Sequence, residues 1–180
     1  GAKLRQFMPS AVETVDEMVI KTARNSSSWD SISRFLGHSQ DDVNAILFVE
    51  FTNEHVDNAT TALEFSKTND GILYSTLLTC KKEIDDVWSF RSRSVGLLSS
   101  IKGSKTPVPF VEDCAVPPES LAPFINDFKA ILRKHGLSAG MFGHVDAGVI
   151  HVRPALDMIN SQDRLLVQSV SEEVATLVQS

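Results

Sequence analysis

Two of the five histidines lie close together in the segment 143–153, and the turn between them decides what they can do. In one continuous strand His144 and His151 would point to opposite faces, because side chains alternate with a period of two. If Ala147 and Gly148 form a two-residue hairpin loop, His144 lies directly opposite His151, with Cβ atoms about 4.5–5.5 Å apart. Two imidazoles placed in this way can share a metal ion.

The same register puts Asp146 and Arg153 on the histidine face, so that an anion-binding guanidinium neighbours the cation site. A three-residue loop, with Gly148 in a left-handed conformation, is the alternative and shifts the register by one residue. A second interpretation stays open, because a zinc site ordinarily takes three protein ligands. In that interpretation one histidine lies in the core and the other near a turn. The histidines outside this segment lie in predicted loops and helix ends, at His38, His55 and His135.

Arg91 is a charge in the middle of a predicted apolar helical stripe, seven residues after Ile84 and three after Trp88. A buried guanidinium without a partner is very costly, so we expect either an internal carboxylate or a ligand anion beside it. In a third interpretation the stem extends past the stripe and the charge reaches solvent. The neighbouring acidic residues Glu112 and Asp113 are interpreted as a turn or edge feature rather than as a catalytic carboxylate pair.

The spacing of apolar residues indicates the elements that must position these side chains. Helices are predicted at 12–23, 29–36, 56–67, 81–98, 117–135 and 166–178, with Asn53 as the N-cap of the third. Strands are predicted at 46–51, 72–78, 108–116, 138–145 and 149–153. A strand–helix–strand order occurs twice, over 46–78 and 108–145. The sequence therefore predicts an α+β fold of ferredoxin-like type, with two β-α-β units on a mostly antiparallel sheet and flanking helices.

Composition excludes several classes of protein. The 180 residues suffice for one domain, and 42% hydrophobic with 22% charged residues is typical of a globular chain. A net charge of -6 and the lack of a basic run argue against a nucleic-acid partner, and no apolar run approaches the length of a membrane span. Cys80 and Cys114 form no metal motif and indicate a reducing compartment. Because the chain begins at Gly1 rather than methionine, we expect a piece of a longer protein.

Three segments of the chain resemble the C-terminal substrate (cap) domain of the FAD-linked oxidases: WSFR at 88–91, FVEDCAVP at 110–117 and GHVDAGVIHVRP at 143–154. The resemblance extends over nearly the whole chain, so residues 1–180 are expected to be a single domain and a piece of that C-terminal domain. The wording HVDAGVIHVRPALDM is most similar to the long bacterial members of the D-2-hydroxyglutarate dehydrogenase type, which join a flavin half to an iron–sulfur half. The implied substrate is D-2-hydroxyglutarate, with D-lactate and glycolate as alternatives.

The resemblance also implies roles for individual residues. The two family histidines that hold a divalent metal, often zinc, fall on His144 and His151, and the arginine that clamps the substrate carboxylate falls on Arg91. Arg153 is the second expected substrate-binding residue, as the anion anchor of the hairpin face. The chain departs from the family pattern at two places: the acidic residue is displaced to Asp146, and the family asparagine is replaced by Val149.

The resemblance implies a flavoprotein of which this chain is one part. The FAD-binding domain and a Glu-His-Gly segment, which supplies a third metal ligand and the catalytic base, are implied to lie outside residues 1–180, so the isolated chain is expected to be inactive. The implied reaction is metal-assisted deprotonation of a 2-hydroxy acid with hydride transfer to FAD. The expected location is the cytoplasm. Association with the periphery of the inner membrane, by way of an electron acceptor there, is included in this expectation. The rival functions are a ferredoxin-like small-ligand module and a structural interaction domain.

Overall fold

The computed structural model describes residues 1–37 and 42–179, so His38 lies outside the described residues. Its α-helices are α1 (Glu17–Arg24), α2 (Ser27–Asp30), α3 (Asn58–Lys67), α4 (Lys81–Ser99), α5 (Leu121–Lys134) and α6 (Ser161–Gln179). Its strands are β1 (Ala11–Asp16), β2 (Ala45–Glu50), β3 (Thr106–Pro107), β4 (Cys114–Ala115), β5 (Ala139–His144) and β6 (Val149–Leu156). None of the described helices combines the length and the apolar composition that a membrane span requires.

The strands form one sheet in the order β2-β1-β5-β6, and β3 and β4 both pair with the outer edge of β6. Every described pair is antiparallel. Since β4 and β5 both run antiparallel to β6, they run in the same direction, and α5 connects them as a crossover. The predicted α+β class with a mostly antiparallel sheet is confirmed, and the second strand–helix–strand unit lies where the sequence predicted it.

The predicted first helix is wrong in its first half, because residues 11–16 form β1 and only the remainder forms α1. Val12 and Val15 match a helical spacing, but both are β-branched and β1 is paired on both sides, with β2 and β5. The helix starts where Asp16 accepts hydrogen bonds from the backbone N–H groups of Met18 and Val19, at 3.1 and 3.2 Å. Tertiary pairing thus overrides a short periodic pattern.

The predicted strand at 72–78 is also wrong, so the first β-α-β unit is not formed there. The segment belongs to no strand of the sheet, and its apolar side chains lie at the surface, with Leu73 54% and Tyr74 51% exposed. An apolar run forms a strand only if the edge of a sheet is available to pair with it. The predicted N-cap Asn53 instead begins a 3₁₀ turn with a positive φ of 55°, and Asp57 precedes α3.

The predicted strand at 108–116 is reduced to the short strand β4, and the equally short β3 lies just before the predicted range. Pro107 and Pro109 lack the N–H group that a continuous ladder needs. Asp113 interrupts the extended backbone a second time, with φ at 61°. The predicted helix at 29–36 is divided into the four-residue α2 and a 3₁₀ turn at Ser33–Phe35. The other predicted elements are confirmed to within about five residues at their ends.

The two faces of the sheet carry two separate hydrophobic cores. On one face α5 and α6 pack over side chains that include Val12, Met141 and Val152. On the opposite face α1 and α4 pack over side chains that include Val15 and Phe142. Because side chains alternate along a strand, the neighbours of Phe142 on this second face are His144 and, across the hairpin, the odd-numbered residues of β6.

Candidate functional site

The β5–β6 hairpin brings the two predicted metal ligands onto one face, but in a different register from either predicted one. His144 pairs with Val149 and His151 with Phe142, so the loop has four residues, 145–148. A shift of two residues from the predicted pairing keeps both histidines on the same face, because the side-chain period is two. They lie diagonally rather than opposite, with ring centroids 5.3 Å apart and planes at 84°.

The loop geometry explains this register and corrects the predicted position of Asp146. Gly148 adopts a φ of 70°, and its N–H donates to the Val145 carbonyl at 3.3 Å, which closes the four-residue turn. Asp146 therefore lies in the turn and not on the histidine face. Its carboxylate accepts a hydrogen bond from the N–H of Ala147 at 3.1 Å.

Glu13 on β1 links the predicted substrate-binding arginine to the first predicted metal ligand. Its Oε2 accepts hydrogen bonds from Nε and Nη2 of Arg91 at 3.0 and 2.6 Å, and its Oε1 lies 2.5 Å from Nδ1 of His144. The side chains of Glu13 and Arg91 are only 12% and 10% exposed. Of the three interpretations of the Arg91 charge, the structure thus realises the internal carboxylate.

Two further carboxylates hold the predicted site residues of β6. Nδ1 of His151 lies 2.7 Å from Oδ1 of Asp113, and Nε of Arg153 donates to Oε1 of Glu112 at 2.5 Å. Both carboxylates come from the turn that leads into β4, the edge strand paired with β6. The sequence analysis interpreted this acidic pair as an edge feature and missed its partners. The positive φ of Asp113, unusual for a residue other than glycine, marks the turn that presents its side chain.

The aromatic ring of Phe142 lies at the centre of the four predicted residues. The guanidinium carbons of Arg91 and Arg153 lie 5.2 and 5.7 Å from its centroid, and the His151 ring lies 4.9 Å away. A cation near an aromatic face gains about 0.5–2 kcal/mol and is held in orientation. The structure therefore brings together all four residues that the sequence analysis selected, around one apolar platform.

Each histidine has one ring nitrogen beside a carboxylate and the other free of side-chain partners among the described residues. Nδ1 of each imidazole lies next to a carboxylate, so Nε2 is the ring nitrogen left for coordination. No side chain among residues 1–37 and 42–179 hydrogen-bonds to Nε2 of either histidine. A carboxylate behind the imidazole is the usual arrangement of metal-binding histidines. The described residues nevertheless contain no group of three or more His, Cys, Asp or Glu side chains that could hold a metal ion. At this face of the sheet, the described residues supply two imidazoles, those of His144 and His151.

Cys114, which follows the Glu112–Asp113 pair, lies in an environment that disfavours its thiolate. Burial, reinforced by the negative charge of Asp113, raises the pKa of its thiol above the usual range. The thiol therefore stays protonated at neutral pH, which makes it a poor nucleophile.

Comparison with known proteins identifies the family of this chain. The family model of the FAD-linked oxidase C-terminal domain matches residues 2–180. The chain belongs to this family. Its curated relatives include proteins named D-2-hydroxyglutarate dehydrogenase from Haemophilus influenzae and Escherichia coli, 39% and 38% identical over 93% of the chain. A third, from Pseudomonas putida, is 40% identical over 97% of the chain. The chain spans only 17–18% of the length of these relatives.

Proposed function

We propose that this FAD-linked oxidase domain is the substrate-binding part of a flavin-dependent dehydrogenase of D-2-hydroxy acids. D-2-hydroxyglutarate is the favoured substrate, after the names of the relatives, and D-lactate and glycolate are the alternatives. The observation that carries the proposal is the convergence of Arg91, Arg153, His144 and His151 around Phe142. Glu13, Glu112 and Asp113 offset the charge of this face, so the proposal rests on the hydrogen-bond donors of two guanidinium groups and on the ring nitrogens of two imidazoles rather than on a surplus of positive charge.

The arginines are proposed to bind the carboxylates of the substrate. Each is held by one protein carboxylate through part of its guanidinium, so that the remaining N–H groups are available to a ligand. D-2-Hydroxyglutarate has two carboxylates, and two guanidinium groups flank Phe142. We assign Arg91 to the carboxylate beside the hydroxyl group and Arg153 to the distal carboxylate, which D-lactate and glycolate lack.

The histidines are proposed to hold a divalent metal ion, zinc being the favoured one, through Nε2 of His144 and His151. Such an ion, when bound, polarises a coordinated hydroxyl group and lowers its pKa. A third ligand must come from outside the described residues. FAD, the proposed hydride acceptor, would be bound outside this chain, and an iron–sulfur half is proposed for the remaining length. We also propose a cytoplasmic location, supported by the free thiols of Cys80 and Cys114.

The substrate assignment is tested by replacing Arg153 in the full-length polypeptide. Loss of a charged hydrogen bond costs about 1.5–3 kcal/mol, so Arg153→Met should lower kcat/KM for D-2-hydroxyglutarate by about 10- to 100-fold. The value for D-lactate should change less than threefold, because D-lactate has no distal carboxylate. Steady-state reduction of an artificial electron acceptor measures both.

Arg93→Met is the control for removal of an arginine outside the site, because Arg93 is exposed on α4 and, within the described residues, donates its side-chain hydrogen bonds to Ser89, one turn earlier. Its kinetics should equal those of the wild type. Equal losses for D-2-hydroxyglutarate and D-lactate in Arg153→Met would reject the distal assignment. No turnover of any 2-hydroxy acid by the wild-type flavoprotein would reject the proposed function itself and favour a structural domain.

A further inference from the structure

We propose that Glu13 is a positioning residue of this site, a single carboxylate that sets the orientation of both Arg91 and His144. The inference rests on the proposed function, since it concerns the side chains proposed to bind substrate and metal. It adds a residue outside the three family-like segments, at the opposite end of the chain from the histidine hairpin.

The backbone brings Glu13 to this place. Glu13 and His144 are directly paired across β1 and β5, so their side chains leave the sheet side by side on the same face. Arg91 approaches from α4, which packs over this face. The carboxylate therefore meets one partner within the sheet and one from the helix above it, and each of its oxygens is engaged.

The contact with His144 determines which ring nitrogen can bind a metal. Because a carboxylate oxygen accepts, the 2.5 Å contact points to the tautomer in which Nδ1–H of a neutral His144 donates to Oε1 of Glu13 and the lone pair is left on Nε2. The contact with Arg91 has a parallel effect. Because Oε2 takes Nε and Nη2, one edge of the guanidinium faces Glu13 and the plane of the group is fixed. One charge thus orients both groups, and its loss should affect both.

Glu50 on β2 provides a matched control. Its Oε1 accepts a hydrogen bond from Nε1 of Trp88 at 3.0 Å, so Glu50 also ties α4 to the sheet, about one turn before Arg91. Its carboxylate contacts neither Arg91 nor His144. Glu50→Gln removes the charge of a carboxylate that links helix and sheet but leaves an amide oxygen that can accept from Trp88. Glu13→Gln removes the charge that Arg91 and His144 share and leaves a single acceptor oxygen for the two of them.

The experiment measures the Zn²⁺ affinity of the full-length polypeptide by competition with a chromophoric chelator. Replacement of the residue behind a metal-binding histidine typically costs 10- to 100-fold in metal affinity, so Glu13→Gln should weaken Zn²⁺ binding by about that factor. Glu50→Gln should bind Zn²⁺ within about twofold of the wild type. The KM for D-2-hydroxyglutarate should rise in Glu13→Gln, because Arg91 loses its fixed orientation.

The outcomes separate this inference from the proposed function. If the wild type binds Zn²⁺ and Glu13→Gln binds it with the same affinity, the role of Glu13 is rejected and the proposed metal site is retained. No Zn²⁺ binding by the wild type rejects the metal site and the role of Glu13 together.

A second measurement needs no variant and so does not depend on the folding of Glu13→Gln. Nitrogen NMR of histidine-labelled, metal-free wild type should find neutral His144 protonated on Nδ1. Protonation on Nε2 would overturn the proposal.

Discussion

Arg91 is a charge placed inside the protein, and its replacement by methionine tests whether the ion pair with Glu13 holds the fold as well as the proposed site. Methionine retains much of the apolar stem and removes the guanidinium. The Glu13 side chain, 12% exposed, then keeps His144 as its only partner. Removing one partner of a buried pair costs about 3–5 kcal/mol, because the other charge is left uncompensated. We expect Arg91→Met to lose up to that much stability, because His144 still contacts the Glu13 carboxylate.

The pair can be separated from other effects by a double-mutant cycle. Adding Glu13→Gln to Arg91→Met removes the stranded charge, so the double variant should be more stable than Arg91→Met alone by about 1–3 kcal/mol. Urea unfolding of the 180-residue chain, followed by tryptophan fluorescence, measures each corner of the cycle. Arg93→Met should stay within about 0.5 kcal/mol of the wild type, as an exposed substitution does.

The cycle also distinguishes two interpretations of the arginine. A loss below about 1 kcal/mol in Arg91→Met, with no gain from Glu13→Gln, is the value of a solvated surface pair. That result would refute the reasoning that the guanidinium is desolvated. It would favour the interpretation in which the charge of Arg91 reaches solvent.

Three further substitutions test the fold around the site. Burial raises the pKa of Asp16 from 3.8 to about 6, so its contribution to stability is complete below pH 3.8 and is lost as the pH rises through about 6. Asp16→Asn keeps the helix cap but cannot ionise. Its free energy of unfolding in urea, relative to that of the wild type, should therefore rise by about 2 kcal/mol between about pH 4.5 and about pH 7.5. A difference that does not depend on pH contradicts this. Gly143→Ala would place a Cβ in collision with the Val149 carbonyl oxygen, so we expect a loss of about 1–3 kcal/mol of stability. An unchanged melting temperature would argue against the observed hairpin register. Phe128→Ala empties the core under α5 and should cost about 3–5 kcal/mol in the same unfolding assay, a loss below about 1 kcal/mol being incompatible with full burial.

The elements predicted correctly are those in which local patterning and tertiary environment agree. α5 carries apolar residues at helical spacing and ends before Gly136, and its buried positions are Leu121, Phe124, Phe128 and Leu132. β6 likewise alternates buried and half-buried residues along its length. β5 is buried from Gly140 to Gly143, because it lies between the two cores. In these segments the same residues favour the element and then fill the core, so the sequence pattern suffices.

The errors come from segments in which partners distant in sequence decide the outcome. β1 has a helix-like spacing of valines, yet two neighbouring strands take up its backbone hydrogen bonds. The segment 72–78 has the composition of a strand, but no described strand pairs with it. Hydrogen bonds between strands depend on which edges meet in space, and no local pattern contains that information.

The sequence by itself determined the chemistry available to this domain: a pair of histidines about a turn, a charged residue within an apolar stripe, and the resemblance to the FAD-linked oxidases. Only the tertiary structure decided how those groups are held. Glu13 is 131 residues from His144 and 78 from Arg91, and it reaches both because β1 lies between β2 and β5 beneath α4. The physical reason is that a buried charge needs a partner in space, whereas sequence patterning records only which residues share a face of their own element.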